Sequence, residues 1–219
     1  MSSILKVKNV SYRYKDAAKD EYVFKNLNIS FEPGKSYAIK GKSGSGKTTL
    51  LSLISGLEKK YEGEILYDGK NLKKMNLDKY KNSDIGIIFQ SYNLLPQYTA
   101  EENIILSMDI NNLKKVNKKQ RALELMEQVG LNKSLAKRRV LKLSGGEQQR
   151  IAIARALSYN PKIILADEPT GNLDKETENE ILKIFNNLAH KENKCVIIVT
   201  HSQNVCNNVD KVYDLLKKV

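Results

Sequence analysis

The feature that most constrains this chain is a glycine-rich stretch at residues 41–48, which reads GKSGSGKT. Alternating apolar residues at 36–39 precede it, and an apolar run at 49–54 follows it. This order predicts a strand that turns directly into a helix, which is the context that a phosphate-binding P-loop requires. The glycines let the backbone bend with positive φ, so that the N–H groups of the first helical turn point at an anion. The stretch therefore predicts a polyphosphate site.

Two side chains of this stretch have a defined role toward a triphosphate. Lys47 can reach the β and γ phosphates as a mobile positive charge, and the Thr48 hydroxyl is placed to bind Mg²⁺. An ordinary Gly/Ser-rich turn before a helix is the alternative, and the match at all eight positions argues against it. The nucleotide-binding residues predicted here, including the next residue of the helix, are Gly41, Ser43, Gly44, Ser45, Gly46, Lys47, Thr48 and Thr49.

Length and composition indicate a folded protein with one substantial core. The chain has 219 residues, of which 41% are hydrophobic and 28% are charged. No apolar run approaches the ~20 residues needed to cross a bilayer, and the first residues lack the pattern of a signal peptide. We therefore expect the protein in the cytoplasm. Cys195 and Cys206 do not have the spacing of a disulfide framework or a metal site, so both are predicted to be free thiols.

The formal net charge of +12 is compatible with a nucleic-acid surface, a surface toward acidic lipids, or a merely solvated surface. The lysines are spread over polar helix faces and loops, and few aromatic residues accompany the basic runs at 114–115, 118–119 and 137–139. A solvated surface is the favoured interpretation, and acidic lipid headgroups come second. No nucleic-acid partner is expected.

The apolar pattern predicts two kinds of strand. Residues 4–14 and 22–31 alternate between apolar and polar side chains, which predicts two antiparallel strands, and residues 64–67 predict a further strand of the same layer. Short continuous apolar runs are typical of strands covered on both faces, and the chain has three, at 85–89, 162–166 and 195–199. An amphipathic helix around residues 181–188 separates the last two runs, so we expect a parallel sheet. A last strand is predicted at 209–216.

The segment from about residue 91 to residue 157 breaks this rhythm. It contains helical patterns, such as residues 122–129, and no convincing strand. We therefore expect a helical lobe inserted into an α/β core. Because no linker composition or internal repeat is visible, we expect a single domain over residues 1–219, in which 4–90 and 158–219 form the core with its β layer.

Two carboxylates and a histidine follow the predicted buried strands. Asp167 and Glu168 end one strand, and His201 ends the next. Ligands of α/β sheets collect at the carboxyl ends of strands, where the phosphate loop also lies. Asp167 is therefore predicted to hold Mg²⁺ opposite Thr48, and Glu168 to act as the general base on the attacking water. An Asp-Glu pair or a lone histidine is otherwise more often structural, but a neutral imidazole at this edge can donate a hydrogen bond to a γ-phosphate oxygen.

A second motif, LSGGEQQR at residues 143–150, is far more diagnostic than a phosphate loop. With it, the chain resembles the nucleotide-binding domain of an ABC transporter along nearly its whole length. This resemblance implies a P-loop NTPase (RecA-like) core with an N-terminal antiparallel β subdomain and an inserted helical subdomain. It implies ATP and Mg²⁺ as cofactors. The matching positions are Gln90 in the Q-loop, as a catalytic and metal-binding residue, Asp167 and Glu168 in the Walker B motif, Asp174 in the D-loop, and His201 as the switch histidine. Tyr14 is the expected adenine-stacking aromatic, with Tyr12 as the alternative.

The signature motif also has a physical interpretation of its own. Ser144, Gly145 and Gly146 precede the helical run at 151–157, which predicts a second helix N-terminus with free N–H donors and hence another anion site. The resemblance implies that two protomers pair head to tail, so that the signature of one protomer covers the ATP held by the other. The expected assembly is a homodimer that ATP holds together and that hydrolysis opens.

Within the family, residues 89–96 and 165–174 resemble the group of macrolide exporters, lipoprotein releasers, bacitracin-resistance transporters and the cell-division ATPase. Ser202 is a departure, because that group usually has an acid after the switch histidine. The resemblance implies an ATPase subunit at the cytoplasmic face of the cell membrane that drives separately encoded permease subunits. A mechanical or scaffolding ATPase of the cell-division type is one alternative. A soluble ABC ATPase acting on ribosomes or DNA is a weaker one, because the chain has neither a second cassette nor a long coiled coil.

Overall fold

Two β-sheets of different character form the framework of the molecule, which the computed structural model describes at residues 3–18 and 20–215. The strands in this part of the chain are β1 (Leu5–Tyr12), β2 (Phe24–Phe31), β3 (Ser36–Lys40), β4 (Glu62–Tyr67), β5 (Lys70–Asn71), β6 (Ile85–Ile88), β7 (Ile163–Asp167), β8 (Cys195–Thr200) and β9 (Lys211–Asp214). An antiparallel sheet has the order β2-β1-β4-β5, and a parallel sheet has the order β6-β7-β8-β3-β9.

Helices cover these sheets and fill the segment between β6 and β7. They are α1 (Lys47–Ile54), α2 (Leu77–Ser83), α3 (Ala100–Ile110), α4 (Lys118–Gln128), α5 (Gly145–Leu157), α6 (Lys175–His190) and α7 (Gln203–Asn207). The helices α3, α4 and α5 pack against one another. Both α3 and α5 begin with a capping box, formed by Thr99 with Glu102 and by Ser144 with Glu147. Each box satisfies N–H groups that the first turn of a helix leaves unpaired.

Apart from its edge strand β9, the parallel sheet is buried on both faces, and its side chains divide between two apolar clusters. In β7 and β8, Ile164 and Val196 enter the cluster that contains α3 to α6. Their neighbours Ile163 and Ile197 enter the cluster that contains α1 and the antiparallel sheet. All six residues of β8 are buried. This two-sided burial explains why the sequence of these strands is continuously apolar rather than alternating.

The predicted fold class is confirmed, because an antiparallel layer and helices surround a parallel sheet. The apolar runs at 85–89, 162–166 and 195–199 correspond to β6, β7 and β8 to within one residue at each end. The last predicted strand, 209–216, is shorter in the structure, and residue 216 lies outside the described residues. Three elements, α2, α7 and β5, have at most seven residues each and were not predicted, because such short segments show no clear period.

The division into a core (4–90 and 158–219) and a helical subdomain (91–157) remains a prediction, and residues 1, 2, 19 and 216–219 of the proposed single domain are not described. Over residues 3–18 and 20–215, no helix combines the length and apolar character that crossing a membrane requires.

Candidate nucleotide-binding site

The glycine-rich loop joins β3 to α1 and holds two of its glycines in the left-handed region. Gly44 has a φ of +75°, and Gly46, the N-cap of α1, has a φ of +90°. No side chain caps the first N–H groups of α1, so these donors are free for an anion. A Cβ on Gly41 would lie 2.2 Å from Ser45 Oγ, so only glycine fits there without a shift of the loop. The loop has the shape and the free donors of a phosphate cradle.

Lys47 is the first residue of α1, and its ammonium group bends back over the loop. Its Nζ donates to the carbonyl oxygens of Gly41 at 2.9 Å and Lys42 at 3.2 Å. Nζ also lies 4.0 Å from Glu168 Oε1. Ser45 Oγ is buried in the same loop and finds no hydrogen-bond partner among the described residues. A positive charge thus accompanies the free N–H groups, as expected of a site for a polyanion.

Glu168 and His201 meet where β7 and β8 end. Glu168 Oε1 lies 2.9 Å from His201 Nδ1, and Oε2 accepts a hydrogen bond from the His201 N–H at 3.3 Å. The Glu168 N–H donates to the Val199 carbonyl at 2.9 Å, which holds this residue beside β8. Glu168 has a φ of +45°, a conformation that is uncommon for a residue other than glycine and that is often found at functional sites. The candidate general base therefore contacts the candidate switch histidine directly.

Asp167 lies at the end of β7, next to Thr48 and Glu168. The pKa of the Asp167 carboxyl is raised, chiefly by burial and also by the charge of Glu168. A hydrogen bond with the Thr48 hydroxyl and the charge of Lys47 lower this pKa, but they do not cancel the rise. A cation near this carboxyl would favour its ionised form. Carboxylate, hydroxyl and amide oxygens are the donors that Mg²⁺ prefers, and Asp167, Thr48 and Gln90 supply one of each. These residues fit a Mg²⁺ ion that also binds phosphate oxygens.

A single cleft of about 1180 Å³ brings most of the predicted site residues together. The predicted residues that line it are Tyr14, Ser43, Gly44, Gly46, Lys47, Thr48, Thr49, Gln90, Asp167, Glu168 and His201. Gly41 and Ser45 do not line the cleft and instead shape the loop from behind.

The cleft has a second wall that the sequence analysis missed. It consists of Ala17 and residues 20–25, which lie between the predicted strand 4–14 and the predicted strand 22–31 or in the first residues of the latter. Val23 contacts the loop closely, since a Cβ on Gly46 would lie 2.3 Å from its Cγ1. No motif marks this segment in the sequence, because its role depends only on where the connection from β1 to β2 passes.

Tyr14, rather than Tyr12, lies in the cleft. The Tyr14 side chain is 54% exposed, and its hydroxyl lies 2.7 Å from Thr49 Oγ1. Tyr12 is the last residue of β1 and is buried, with its ring tilted against Phe24 and edge-on to Tyr14. Of these two tyrosines, Tyr14 is the one exposed in the cleft, which favours it as the adenine-stacking residue.

The signature residues lie outside this cleft. Ser144 is the N-cap of α5, where its Oγ accepts from the Glu147 N–H at 3.2 Å. Gly146 lies against α6, because a Cβ there would be 2.6 Å from Thr177 Cγ2. Gly145 faces Tyr92, whose hydroxyl would be 3.1 Å from an added Cβ. None of these residues lines the cleft of its own chain.

Asp174 has a structural role within the chain. It is the N-cap of α6, and its carboxylate accepts bonds from the N–H groups of Glu176 at 3.0 Å and Thr177 at 2.9 Å, and from the Thr177 hydroxyl at 2.6 Å. These hydrogen bonds, the Thr177 hydroxyl first, lower the pKa of Asp174. Because its partner Thr177 lies against Gly146, Asp174 is near the signature loop, and it does not line the cleft. Its contact with a nucleotide stays a prediction.

The backbone after Gln90 is held in an unusual conformation that the sequence analysis did not predict. Tyr92 and Asn93 have φ values of +59° and +50°. The guanidinium of Arg155, on α5, donates to both of their carbonyl oxygens. Burial lowers the pKa of Arg155. One arginine thus joins the segment after the cleft to the helix that starts at the signature motif.

Among proteins built on a parallel sheet, the P-loop ATPases are the class that sets a glycine cradle opposite carboxylates at the strand ends.

Comparison with known proteins assigns the family. A family model described as ABC transporter matches residues 24–171. An uncharacterised ABC transporter ATP-binding protein of Bacillus subtilis, YclH, is 48% identical over 95% of this chain and 91% of its own length. The ATP-binding protein LolD of the lipoprotein-releasing system of Francisella tularensis is 39% identical over 97% of this chain and 94% of its own length.

Solved structures agree with these relatives. The dimeric post-hydrolysis structure of the ATP-binding cassette MJ0796, bound to ADP and phosphate, superposes with a TM-score of 0.86 at 38% identity, over 96% of this chain and 93% of that one. MJ0796 is an ABC transporter ATP-binding protein of Methanocaldococcus jannaschii. This chain belongs to the ABC transporter family. It is an ATP-binding cassette and an ATPase, which confirms the family and the enzyme class predicted from the sequence.

Proposed function

We propose that this chain is the ATP-hydrolysing subunit of a bacterial transporter, and that two copies close around two Mg-ATP to drive a conformational change in a separate membrane permease. One observation carries the proposal: residues 144–146 lie outside the cleft that contains Lys47 and Glu168. The capping box of α5 uses the N–H groups of Ser144 and Glu147. The N–H groups of Gly145 and Gly146 remain to bind an anion, and the nucleotide of the same chain does not reach them. A second protomer, paired head to tail, brings the two sites together.

Mg²⁺ fits the cleft as a partner of the triphosphate. No group of three His, Cys, Asp or Glu side chains that could hold a metal alone exists in the described part of the chain. Mg²⁺ commonly binds through one or two carboxylates together with substrate phosphates. A cleft with a phosphate loop and few acidic side chains therefore suits this ion. Asp167, Thr48 and Gln90 are the residues that would hold the ion. When bound, Mg²⁺ neutralises charge that develops on the phosphate oxygens.

The residues around the cleft suit phosphoryl transfer to water. Glu168 accepts a proton from the attacking water, and its contact with His201 keeps the carboxylate at the strand ends. Lys47 lies between the phosphate loop and this carboxylate, where its charge stabilises the γ-phosphate. His201 is exposed on its outer side, with 70% of its side chain accessible, so it can also donate to a phosphate oxygen.

Charge supports a dimer that depends on nucleotide. Each chain has a formal net charge of +12, so two protomers repel each other without a bound anion. ATP brings negative charge to the interface. Ser144 Oγ accepts its capping bond from Glu147 N–H, which leaves the hydroxyl hydrogen free to donate to a phosphate of the partner. Cleavage of the γ-phosphate removes a ligand that both protomers share, and the dimer opens.

Glu168→Gln tests the shared nucleotide. This variant keeps the shape of the side chain but lacks the base, so we expect hydrolysis to fall about 10²- to 10⁴-fold and ATP to stay bound. Size-exclusion chromatography with ATP should then show a dimer. Glu127→Gln is the control, because Glu127 is exposed on α4 and pairs with Lys133. A Glu168→Gln protein that remains monomeric at saturating ATP would contradict the proposal.

Lys47→Ala tests the cradle itself. We expect it to lose most of its ATP affinity, because the charge over the loop is removed while the loop backbone remains. Lys42→Ala is the matched control, since it deletes an exposed lysine of the same loop. Titration calorimetry with a non-hydrolysable ATP analogue measures both. Equal affinity of the two variants would exclude the proposed role of Lys47.

We further propose that the helical segment 91–157 contacts the permease and keeps the protein at the cytoplasmic face of the membrane. Leu141 is 73% exposed on this segment, and its neighbour Val140 bonds to the carbonyl of the partly exposed Tyr98. The relative LolD is part of a lipoprotein-releasing system, which supports a transporter of that group. A pull-down from detergent extracts should recover a membrane protein with the wild type and less of it with Leu141→Asp. Equal recovery by both would move the contact elsewhere.

A further inference from the structure

Glu178, on α6, accepts side-chain hydrogen bonds from two different loops. Its Oε1 accepts from Thr170 Oγ1 at 3.1 Å and from Ser202 Oγ at 2.8 Å. Its Oε2 accepts from Asn204 Nδ2 at 2.9 Å. Hydrogen bonds to a carboxylate are stronger than those to a neutral acceptor. Glu178, Thr170, Ser202 and Asn204 therefore form a stable cluster, called the Glu178 junction below.

The donors come from the two segments that carry the candidate catalytic pair. Thr170 is two residues beyond Glu168 and is buried, with 5% of its surface exposed. Ser202 is the residue after His201 and is the N-cap of α7. The Ser202 hydroxyl accepts from the Val205 N–H and donates its one hydrogen to Glu178, so these two bonds fix its orientation. Glu178 therefore ties the loop after β7 to the loop after β8.

The same carboxylate joins both loops to the helix that Asp174 caps. Glu178 is four residues after Asp174, and its N–H donates to the Asp174 carbonyl at 2.8 Å. Thr177, the adjacent residue, lies against Gly146 of the signature loop. Movement of α6 relative to the sheet would thus be transmitted through Glu178 to both loops.

We propose that Glu178 is a positioning residue for ATP hydrolysis, which sets the relative position of Glu168 and His201 and couples that pair to α6. This inference rests on the roles proposed above for Glu168 and His201. It also accounts for Ser202, where the group that the chain resembles usually has an acid. In this chain the carboxylate next to position 202 comes from Glu178 on α6, and the Ser202 hydroxyl donates to it.

An exchange of the two groups tests the proposal. An Asp at position 202 is one atom longer than Ser and extends toward the place of Glu178 Oε1, which lies 2.8 Å from Ser202 Oγ. Ser202→Asp alone sets two carboxylates side by side and should slow hydrolysis. The double variant Glu178→Ala with Ser202→Asp keeps one carboxylate at the junction and should recover most of the rate.

Steady-state ATPase assays on the full chain provide the measurement. A catalytic pair displaced by a fraction of an ångström to 1 Å should lower kcat about 10- to 100-fold in Glu178→Ala, with KM within about twofold, since no cleft residue is changed. Glu178→Gln, which keeps the shape, should fall in between. Glu176→Ala, an exposed acid in the first turn of the same helix, should keep the wild-type kcat.

Three outcomes would overturn the inference. Glu178→Ala could keep the wild-type kcat and lose only thermal stability, which indicates a structural role. The double variant could be as slow as Glu178→Ala. If Glu178→Ala does not fold, the test rests on Glu178→Gln and on the double variant. A wild-type kcat in Glu178→Gln together with a slow double variant would then contradict the role of Glu178. Glu168→Gln and His201→Ala are measured in parallel, because unchanged rates there refute the proposed function itself.

Discussion

Gly44→Ala and Gly69→Ala form a matched pair that separates backbone strain from nucleotide binding. Gly44 has a φ of +75° and Gly69 a φ of +74°, and a Cβ at either position meets no atom within 4 Å. Both substitutions therefore introduce the same left-handed strain and no steric clash. For a residue with a Cβ, this strain is roughly 1–2 kcal/mol. The two positions differ in location, because Gly44 lines the nucleotide cleft and Gly69 lies in the turn between β4 and β5.

The strain should appear in different equilibria. In Gly69→Ala the turn is fixed by the pairing of Leu66 with Asn71 and of Tyr67 with Lys70, so the free energy of unfolding should fall by about 1–2 kcal/mol and nucleotide affinity should stay unchanged. In Gly44→Ala the free loop can relax and must return to the strained shape on binding. Affinity should then fall by about 1–2 kcal/mol, or roughly 5- to 30-fold, with a smaller loss of stability.

Urea unfolding followed by circular dichroism measures the first quantity, and titration calorimetry with a non-hydrolysable ATP analogue measures the second. Unfolding is measured without nucleotide, because a bound ligand adds its own stabilisation. Wild-type affinity in Gly44→Ala would refute the claim that the left-handed turn aims N–H groups at the phosphates. An equal loss of affinity in Gly69→Ala would show that the effect is global and not local to the cleft.

Three further predictions concern other parts of the molecule. Tyr14→Ala should weaken ATP binding by about 1–3 kcal/mol through lost stacking, whereas Tyr14→Phe should bind nearly as wild type, by the same calorimetry. Arg155→Lys should lower the free energy of unfolding by about 0.5–1.5 kcal/mol in urea, because one of the two carbonyl oxygens loses its donor. Burial alone would raise the pKa of Asp210, but hydrogen bonds from Ser36 and His190 lower it below its usual value. Its stabilising effect is thus present above about pH 4 and lost as the pH falls through the lowered pKa, so wild type and Asp210→Asn should converge in urea stability toward pH 3.

The sequence predicts the elements whose cause is local or strongly periodic. The buried strands β6, β7 and β8 are identified by continuous apolar runs, since each is covered on both faces. Short elements are missed for the opposite reason: α2 has seven residues and α7 five, less than two turns each. The order of the parallel strands is not contained in the pattern either, because any order of such strands buries the same apolar residues.

The two tyrosines illustrate where pattern reasoning stops. Tyr12 and Tyr14 are two positions apart, so a strand period places them on the same face and does not choose between them. The structure ends β1 at Tyr12, whose ring packs near Phe24, and leaves Tyr14 in the following connection at the cleft. The choice depends on where the strand ends and on what covers it, and both are tertiary facts.

The chemistry of residues 41–48 is decided by the sequence alone, because a glycine turn followed by a helix start is a local structure and its N–H groups need no distant partner. The motifs also suffice to place the chain in its family. The tertiary structure alone decides that the strand ends bring Glu168 and His201 into contact, and that residues 144–146 lie away from their own cleft. The physical reason is distance along the chain: contacts between segments dozens of residues apart depend on how sheets and helices stack, which no local pattern specifies.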